Sequence, residues 1–286
     1  MFNLLKTGLL LTGLTLLLVW LGNLLGGQTG MIVALIFAAI MNFGSYWFSD
    51  KLVIAMSGAQ PLSEQDAPEL YQMTREMCMR ANMPMPRLYL IPELQPNAFA
   101  TGRNPQNGVV AVTQGLLQMM NYEEVKGVIA HELAHIKNRD TLIMAIAATI
   151  AGAISALANM FYYATLLFGS SRDEDAPKPL AALALAIIAP FAAMIIQLAI
   201  SRAREYEADR VGAEIAGTPL GLASALRKLE AAARQIPNLH AQPATAHMYI
   251  VNPLRDGGLM ALFSTHPPVA ERIRRLEAMA RGWRIA

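Results

Sequence analysis

"GVIAHELAHIKNRD", Gly127–Asp140, sets two histidines four residues apart with a glutamate after the first, and Thr141 behind it opens a long uncharged stretch. On an α-helix four residues amount to about 40° of rotation and about 6 Å of rise, so both imidazoles leave one face. Nitrogens so placed can meet one tetrahedral zinc ion at about 2 Å. Glu132, next to the first histidine, is set to take a proton from a water that such a metal acidifies. Asn121 and Glu124 can cap the helix, and Val125, Val128, Ile129 and Leu133 give it an apolar face. A solvated helix face could carry the same letters, so the presence of a third ligand separates the two readings.

A catalytic zinc keeps three protein ligands and one open position. The extended pattern H-E-x-x-H-x-x-G-x-x-H is excluded, because Asn138 and Thr141 stand at its last two key places. "SRAREYEADR", Ser201–Arg210, offers Glu205, Glu207 and Asp209. Glu205 and Asp209 share a helix face, whereas Glu207 points elsewhere. A carboxylate one turn beyond a ligand suits the partner that a metal-binding imidazole needs for its other N–H. Cys78 is the only cysteine, so no intrachain disulfide forms and a thiolate zinc site is excluded; it reads as a small buried apolar residue.

The rest of the chain is strongly apolar, 54% hydrophobic and 15% charged over 286 residues. No Asp, Glu, Lys, Arg or His occurs between Lys6 and Asp50, and the run breaks at "GNLLGGQTG" into spans near Gly8–Leu25 and Met31–Phe48. Each approaches the roughly 20 residues that a hydrocarbon core requires. Two more uncharged stretches, Thr141–Ser171 and Pro179–Ser201, complete four expected spans. The first is longer than a signal-peptide core and lacks an A-x-A-like site, so it is expected to be retained. Eight Lys and Arg lie between Lys51 and Arg139 and twelve between Arg202 and Arg284, against two in the short loop 169–179. This bias places both termini and both large polar segments in the cytosol. A net charge of +2 gives no case for nucleic acid, while basic residues beside the spans suit anionic headgroups of the lipid bilayer. Spans without a single ionisable residue speak against a transporter.

The expected organisation is therefore residues 1–50 with two transmembrane helices, 51–140 and 202–286 as two halves of one cytosolic domain, and 141–201 with the other two helices. In the first half, Asp66 and Glu69 have capping-box spacing before a helix ending near Ala81. "RLYLI" reads as a strand, and "NAFATGRNPQNGVVAVT" as two strands joined through Asn107–Gly108. In the second half a helix carries Glu205, another covers Leu220–Arg234, an irregular stretch runs from Ile236 to Gly258, and an amphipathic helix covers Val269–Arg281. His240 and His247 read as solvated side chains of that irregular stretch, where residues 237–258 are either a lid or a plain loop. The fold class is a mostly α membrane protein, with four transmembrane helices and a cytosolic α+β zincin-like domain containing a small β-hairpin or sheet. An extended substrate is expected to add along the hairpin edge at Asn97, Ala98, Phe99, Ala100 and Thr101, since main-chain pairing accepts many sequences.

"HELAH" before one hydrophobic span and "REYEAD" after the next, preceded by "NAFATG" and followed by "STHPPVAERIRRL", resembles the HtpX family of membrane zinc metalloproteases, relatives of the CAAX prenyl endopeptidases. The resemblance covers essentially the whole chain. It implies that His131, His135 and Glu205 bind one Zn2+, that Glu132 is the general base, and that Asp209 supports a ligand. It further implies that "HPPVAER" brings His266 and Arg272 to the site to stabilise the oxyanion. By residue type alone, His266 merely precedes two prolines opening a helix, and Arg272 is a helix-surface cation. The implied function is cleavage of polypeptides, membrane proteins among them, in bacterial inner-membrane quality control under stress. Two alternatives share the metal site. A CAAX prenyl-type endopeptidase is expected to carry more spans around a chamber. A non-catalytic zinc-binding membrane protein would lack the base, which Glu132 supplies.

Overall fold

The computed structural model describes residues 2–150, 202–236, 243–251 and 267–283. The expected fourth span, the 169–179 loop, all but the start of the third span, His240 and His266 lie outside these residues.

The helical N-terminal stretch α1, Phe2–Ser57, is a hairpin rather than one rod. Its backbone turns at Gly27, where φ is +58°, and Asn42 Nδ2 donates to Thr15 Oγ1 at 2.9 Å. In a straight helix those two residues would stand about 40 Å apart. Only a residue without Cβ takes the left-handed conformation at no steric cost, so the expected break within "GNLLGGQTG" falls on a glycine. The second limb, Gly27–Ser57, is long and apolar enough to cross a membrane; Leu11–Trp20 and Thr141–Ile150 are shorter apolar helices. Large side chains such as Trp20, Ile40 and Phe43 face outwards from the hairpin.

The polar segments build a small sheet and a helical layer. Strands β1 (Gln60–Pro61), β2 (Arg87–Ile91), β3 (Ala98–Thr101) and β4 (Val109–Thr113) are ordered β1-β2-β4-β3. The β2–β4 pair is parallel and the β3–β4 pair antiparallel, so β3 forms an edge. The expected hairpin is present, but its turn differs. Asn104 caps a short 3-10 turn at Pro105–Asn107, and Gly108 is extended rather than left-handed. Helix α2 (Pro68–Ala81) ends where expected, yet its N-cap is Ala67. The Asp66 carboxylate is engaged instead by the Ser63 hydroxyl, and the proline at the first helical position makes a side-chain cap dispensable.

Helices α3 (Gln114–Met119), α4 (Tyr122–Lys137), α5 (Thr141–Ile150), α6 (Arg202–Ala216), α7 (Leu220–Gln235), the single turn α8 (Pro243–Ala246) and α9 (Val269–Trp283) complete the described elements. Helix α4 lies at the centre, with α6 and α7 against it and β3 along another side. Met73, Met77, Ile129, Leu133, Leu222 and Leu226 belong to the main core. Phe99, Ala111, Ile143, Ile146 and Tyr249 share a second cluster under the sheet. A Cβ on Gly212 would come within 2.9 Å of the His131 Cα, so this glycine allows α6 to lie directly on the first histidine. Helix α4 does not run straight into the third apolar stretch: Arg139, at φ +58°, interrupts the helix between α4 and α5.

Candidate active site

Helix α4 starts with a capping box in which Asn121 accepts from the Glu124 N–H and Glu124 accepts from the Asn121 N–H. Glu124 also binds the Ser224 hydroxyl and Lys228 Nζ, both at 2.7 Å, tying α4 to α7. Two turns on, His131, Glu132 and His135 are buried, each under 5% exposed. Glu205 and Asp209, on the buried face of α6, come to the same point, whereas Glu207 faces solvent and pairs with Arg210.

The ligand atoms form a compact triangle. The two Nε2 atoms are 3.2 Å apart, His135 Nε2 lies 3.5 Å from Glu205 Oε1, and His131 Nε2 lies 3.8 Å from Glu205 Oε2. One ligand atom from each of the three residues lies within 4.8 Å of the others, close enough for the group to hold one metal ion. Each histidine is held from behind by a carboxylate. His131 Nδ1 is 3.0 Å from Asp209 Oδ1, and His135 Nδ1 is 3.1 Å from Asp140 Oδ2. Protons on Nδ1 leave both Nε2 lone pairs facing the centre.

Arg272 reaches this cluster from α9 and is 1% exposed. It donates to both Asp209 oxygens, at 2.9 and 2.7 Å, and lies 3.6 Å from Glu205. By residue type alone it reads as a surface cation, whereas the family resemblance brings it to the site; the structure places it there, on Asp209. Burial works to raise the Asp209 pKa, but the Arg272 charge and the hydrogen bonds from His131 and Arg272 together outweigh it and hold this carboxyl below its usual range. His131 is held down to about 4, by burial first and then by Arg272. For His135 burial works against the proton but is outweighed by Asp140, Glu205 and Glu132, which raise it to about 9. Glu132 is pushed up to about 7 by burial, with Glu205 adding to it, while the Ala100 N–H that binds it works the other way. A carboxyl near neutrality can both accept and return a proton.

The Ala100 contact places edge strand β3 beside Glu132. Asn97, Ala98, Phe99, Ala100 and Thr101 are all buried. The outward carbonyl of Ala98 is already taken, accepting from the Ile250 N–H at 3.0 Å. Ile250 belongs to the stretch expected to be irregular. Neighbouring His247 is 1% exposed, not solvated, because it packs under α5 with Nε2 3.2 Å from the Met144 carbonyl. Asp140 is the functional residue that sequence reasoning missed. Its only signal was a short acidic side chain just past the helix end, and its approach to His135 depends on the left-handed Arg139.

An edge strand beside a buried glutamate, next to a His-His-Glu group that could hold a metal ion, is an arrangement that fits a metallopeptidase. Within that class, the chain belongs to Peptidase family M48, whose model matches residues 64–280. A "Protease HtpX homolog" of Syntrophobacter fumaroxidans is 56% identical over 277 residues, 96% of this chain and 98% of that one. Another, of Burkholderia ambifaria, is 54% identical over 288 residues and covers 100% of both chains. Among solved structures, S. mikatae Ste24p matches with a TM-score of 0.52 at 18% identity, over 93% of this chain and 63% of that chain, a likeness of fold. The chain is thus a peptidase of the protease HtpX kind.

Proposed function

We propose that the protein is a zinc endopeptidase of the bacterial inner membrane, cutting misfolded or damaged membrane proteins at the cytosolic surface. The observation that carries this reading is the buried His131–His135–Glu205 group, whose ligand atoms lie within 4.8 Å of one another, with two imidazole nitrogens and one carboxylate as the donor set of a catalytic zinc site. When bound, the metal supplies Lewis acidity towards the scissile carbonyl and lowers the pKa of a water. Glu132 takes the proton of the attacking water and returns it to the leaving amine. Asp209 and Asp140 hold the two Nδ1 protons, and Arg272 locks Asp209 while its Nη1 donates to the Ile250 carbonyl, the kind of acceptor that a substrate carbonyl or oxyanion would replace. His266 is the second proposed oxyanion donor. The substrate backbone pairs along Asn97–Thr101, whose outward Ala98 and Ala100 groups run towards Glu132.

Four spans, with both polar segments and both termini cytosolic, complete the proposal. The outward apolar side chains of the α1 hairpin support it, as does the distribution of Lys and Arg along the chain. The fold likeness to Ste24p keeps a prenyl-peptide endopeptidase as a second reading. The test is metal content and casein cleavage of detergent-purified wild type, Glu132→Gln and Glu205→Ala. Glu132→Gln should keep zinc and lose cleavage, and Glu205→Ala should lose both. Cleavage surviving in Glu132→Gln would defeat the assignment of the base. Preference for a prenylated over a plain peptide would move the substrate class to the second reading.

A further inference from the structure

The stretch Tyr249–Val251, a bend rather than a strand, lies against the outer side of the edge strand and takes up polar groups there. Ile250 gives its N–H to the Ala98 carbonyl, and its own carbonyl accepts from Arg272 Nη1 at 3.1 Å. The next residue is held at both ends by Asn97, whose Nδ2 donates to the Val251 carbonyl at 2.7 Å and whose Oδ1 accepts the Val251 N–H at 3.4 Å. Tyr249 packs edge-on against Phe99 at 5.3 Å between ring centroids. One chain segment thus engages Ala98, Asn97 and Arg272, while Ala100, two residues along the same edge, binds Glu132. Those outward atoms cannot serve two chain segments at once.

We infer that Tyr249–Val251 is an internal occupant of the substrate cleft, and that a polypeptide pairs with β3 only after this strap has withdrawn. The inference deepens the zinc-endopeptidase reading and rests on it. Free enzyme is therefore held in a closed state, and substrate affinity is reduced by the fraction of molecules in which the strap stays down. The test uses the full chain, zinc-loaded in detergent, with a phosphinic peptide as probe and hydrogen exchange as readout. Binding of the probe should deprotect the Ile250 amide. Ile250→Pro, which removes the N–H, should bind the probe about fivefold more tightly, the worth of one net hydrogen bond. If that variant loses its metal, Tyr249→Ala loosens the strap with its backbone intact. A bound probe that leaves the Ile250 amide protected, with no gain in either variant, makes the segment a fixed wall and overturns the inference. Binding that is equal in zinc-stripped and zinc-loaded protein would instead remove the zinc reading beneath it.

A separate observation lies at the other end of the sheet. A cavity of ≈ 550 Å³ opens where the end of α1 meets the β3–β4 loop, lined by Trp47, Phe48, Asp50, Lys51, Arg87 and Arg103 among others. Arg87 is paired with Asp50 at 2.9 Å. Arg103 lies over the Trp47 ring at 4.5 Å and Lys51 near Phe48 at 5.6 Å, so two cations rest on aromatic faces. Asp50 is the one acid in the lining, and its charge is spent on Arg87. Trp and Phe beside cations, at the end of an apolar limb, match the headgroup level of a bilayer.

We propose that this cavity binds a phosphate-bearing anion, the headgroup of an anionic phospholipid. Native mass spectrometry of the full chain should show phosphatidylglycerol retained over phosphatidylcholine. Lys51→Glu with Arg103→Glu should lose that preference by about fivefold per charge. Inorganic phosphate that displaces the lipid would reassign the site to a soluble anion. Equal retention of both lipids by wild type and variant would overturn it.

Discussion

At the scale of single residues, the site is a set of carboxylates doing different work. Asp140 and Asp209 each hold one imidazole from behind, so removing either leaves the ligands in place but free to rotate. Asp140→Ala should weaken zinc binding by about 10–100-fold, read by chelator competition, with secondary structure unchanged; undiminished affinity would mean that His135 is held by packing alone. Glu124 works outside the chemistry. Burial alone would raise its pKa, but bonds from Lys228, Ser224 and the Asn121 N–H outweigh it and hold the carboxyl below its usual range. A depressed native pKa stabilises the fold above the unfolded value of about 4.3 and is lost as pH falls through the native one. Glu124→Gln should therefore lower the melting temperature at pH 7, by the equivalent of about 1–3 kcal/mol, and cost progressively less as the buffer is acidified below that range. A cost independent of pH would show that shape and not charge matters there. The pairs His131–His135 and Glu205–Asp209 were legible from spacing, because a helix turns four-residue intervals into a shared face. Asp140 was not, because its approach depends on a left-handed residue at Arg139 that no periodicity announces.

At the scale of elements, the contact of α4 with α6 decides whether the triangle closes. Gly212 faces the His131 backbone so closely that a Cβ would stand 2.9 Å from Cα and 3.0 Å from N. Neither atom belongs to a flexible side chain, so Gly212→Ala must push the helices apart and carry Glu205 away from the histidines. The expected cost is about 1–3 kcal/mol, with zinc lost before the fold; melting followed with and without added zinc separates the two. A variant that melts lower yet keeps full zinc affinity would show that α6 shifts without moving Glu205. The strands and helices were readable because short β-branched and aromatic runs bounded by turn residues mark "RLYLI" and "VVAVT", and the helical period survives in the amphipathic helices. The strap was not. "HMYIV" has no period of its own, and its path is set by bonds to Ala98, Asn97 and Arg272, none of them near it in sequence. The hairpin turn was misplaced for a related reason: Asn104 offered a stronger local cap than Asn107–Gly108 offered a tight turn.

For the whole molecule, the question is which side of a bilayer the cleft faces, and it follows from charge rather than packing. Apolar length marks where spans can lie, while Lys and Arg beside them fix orientation. The chain supplies its own control for a labelling experiment. Its single cysteine, Cys78, is 3% exposed, and burial pushes the thiol up to about 11, so it contributes little thiolate at neutral pH. Cysteines introduced at Glu64 and Arg234, both exposed in the catalytic body, should react with a membrane-impermeant maleimide only after the membrane is opened. A cysteine at Ser171, in the expected extracytosolic loop, should react in intact spheroplasts. If Glu64→Cys is labelled in intact cells, the site faces outwards and cytosolic substrates are excluded. If Ser171→Cys is protected until permeabilisation while Glu64→Cys is too, the apolar stretches on either side of that loop do not both cross. The hairpin of α1 would then be the membrane anchor, and the helices behind the histidines part of the protein's own core.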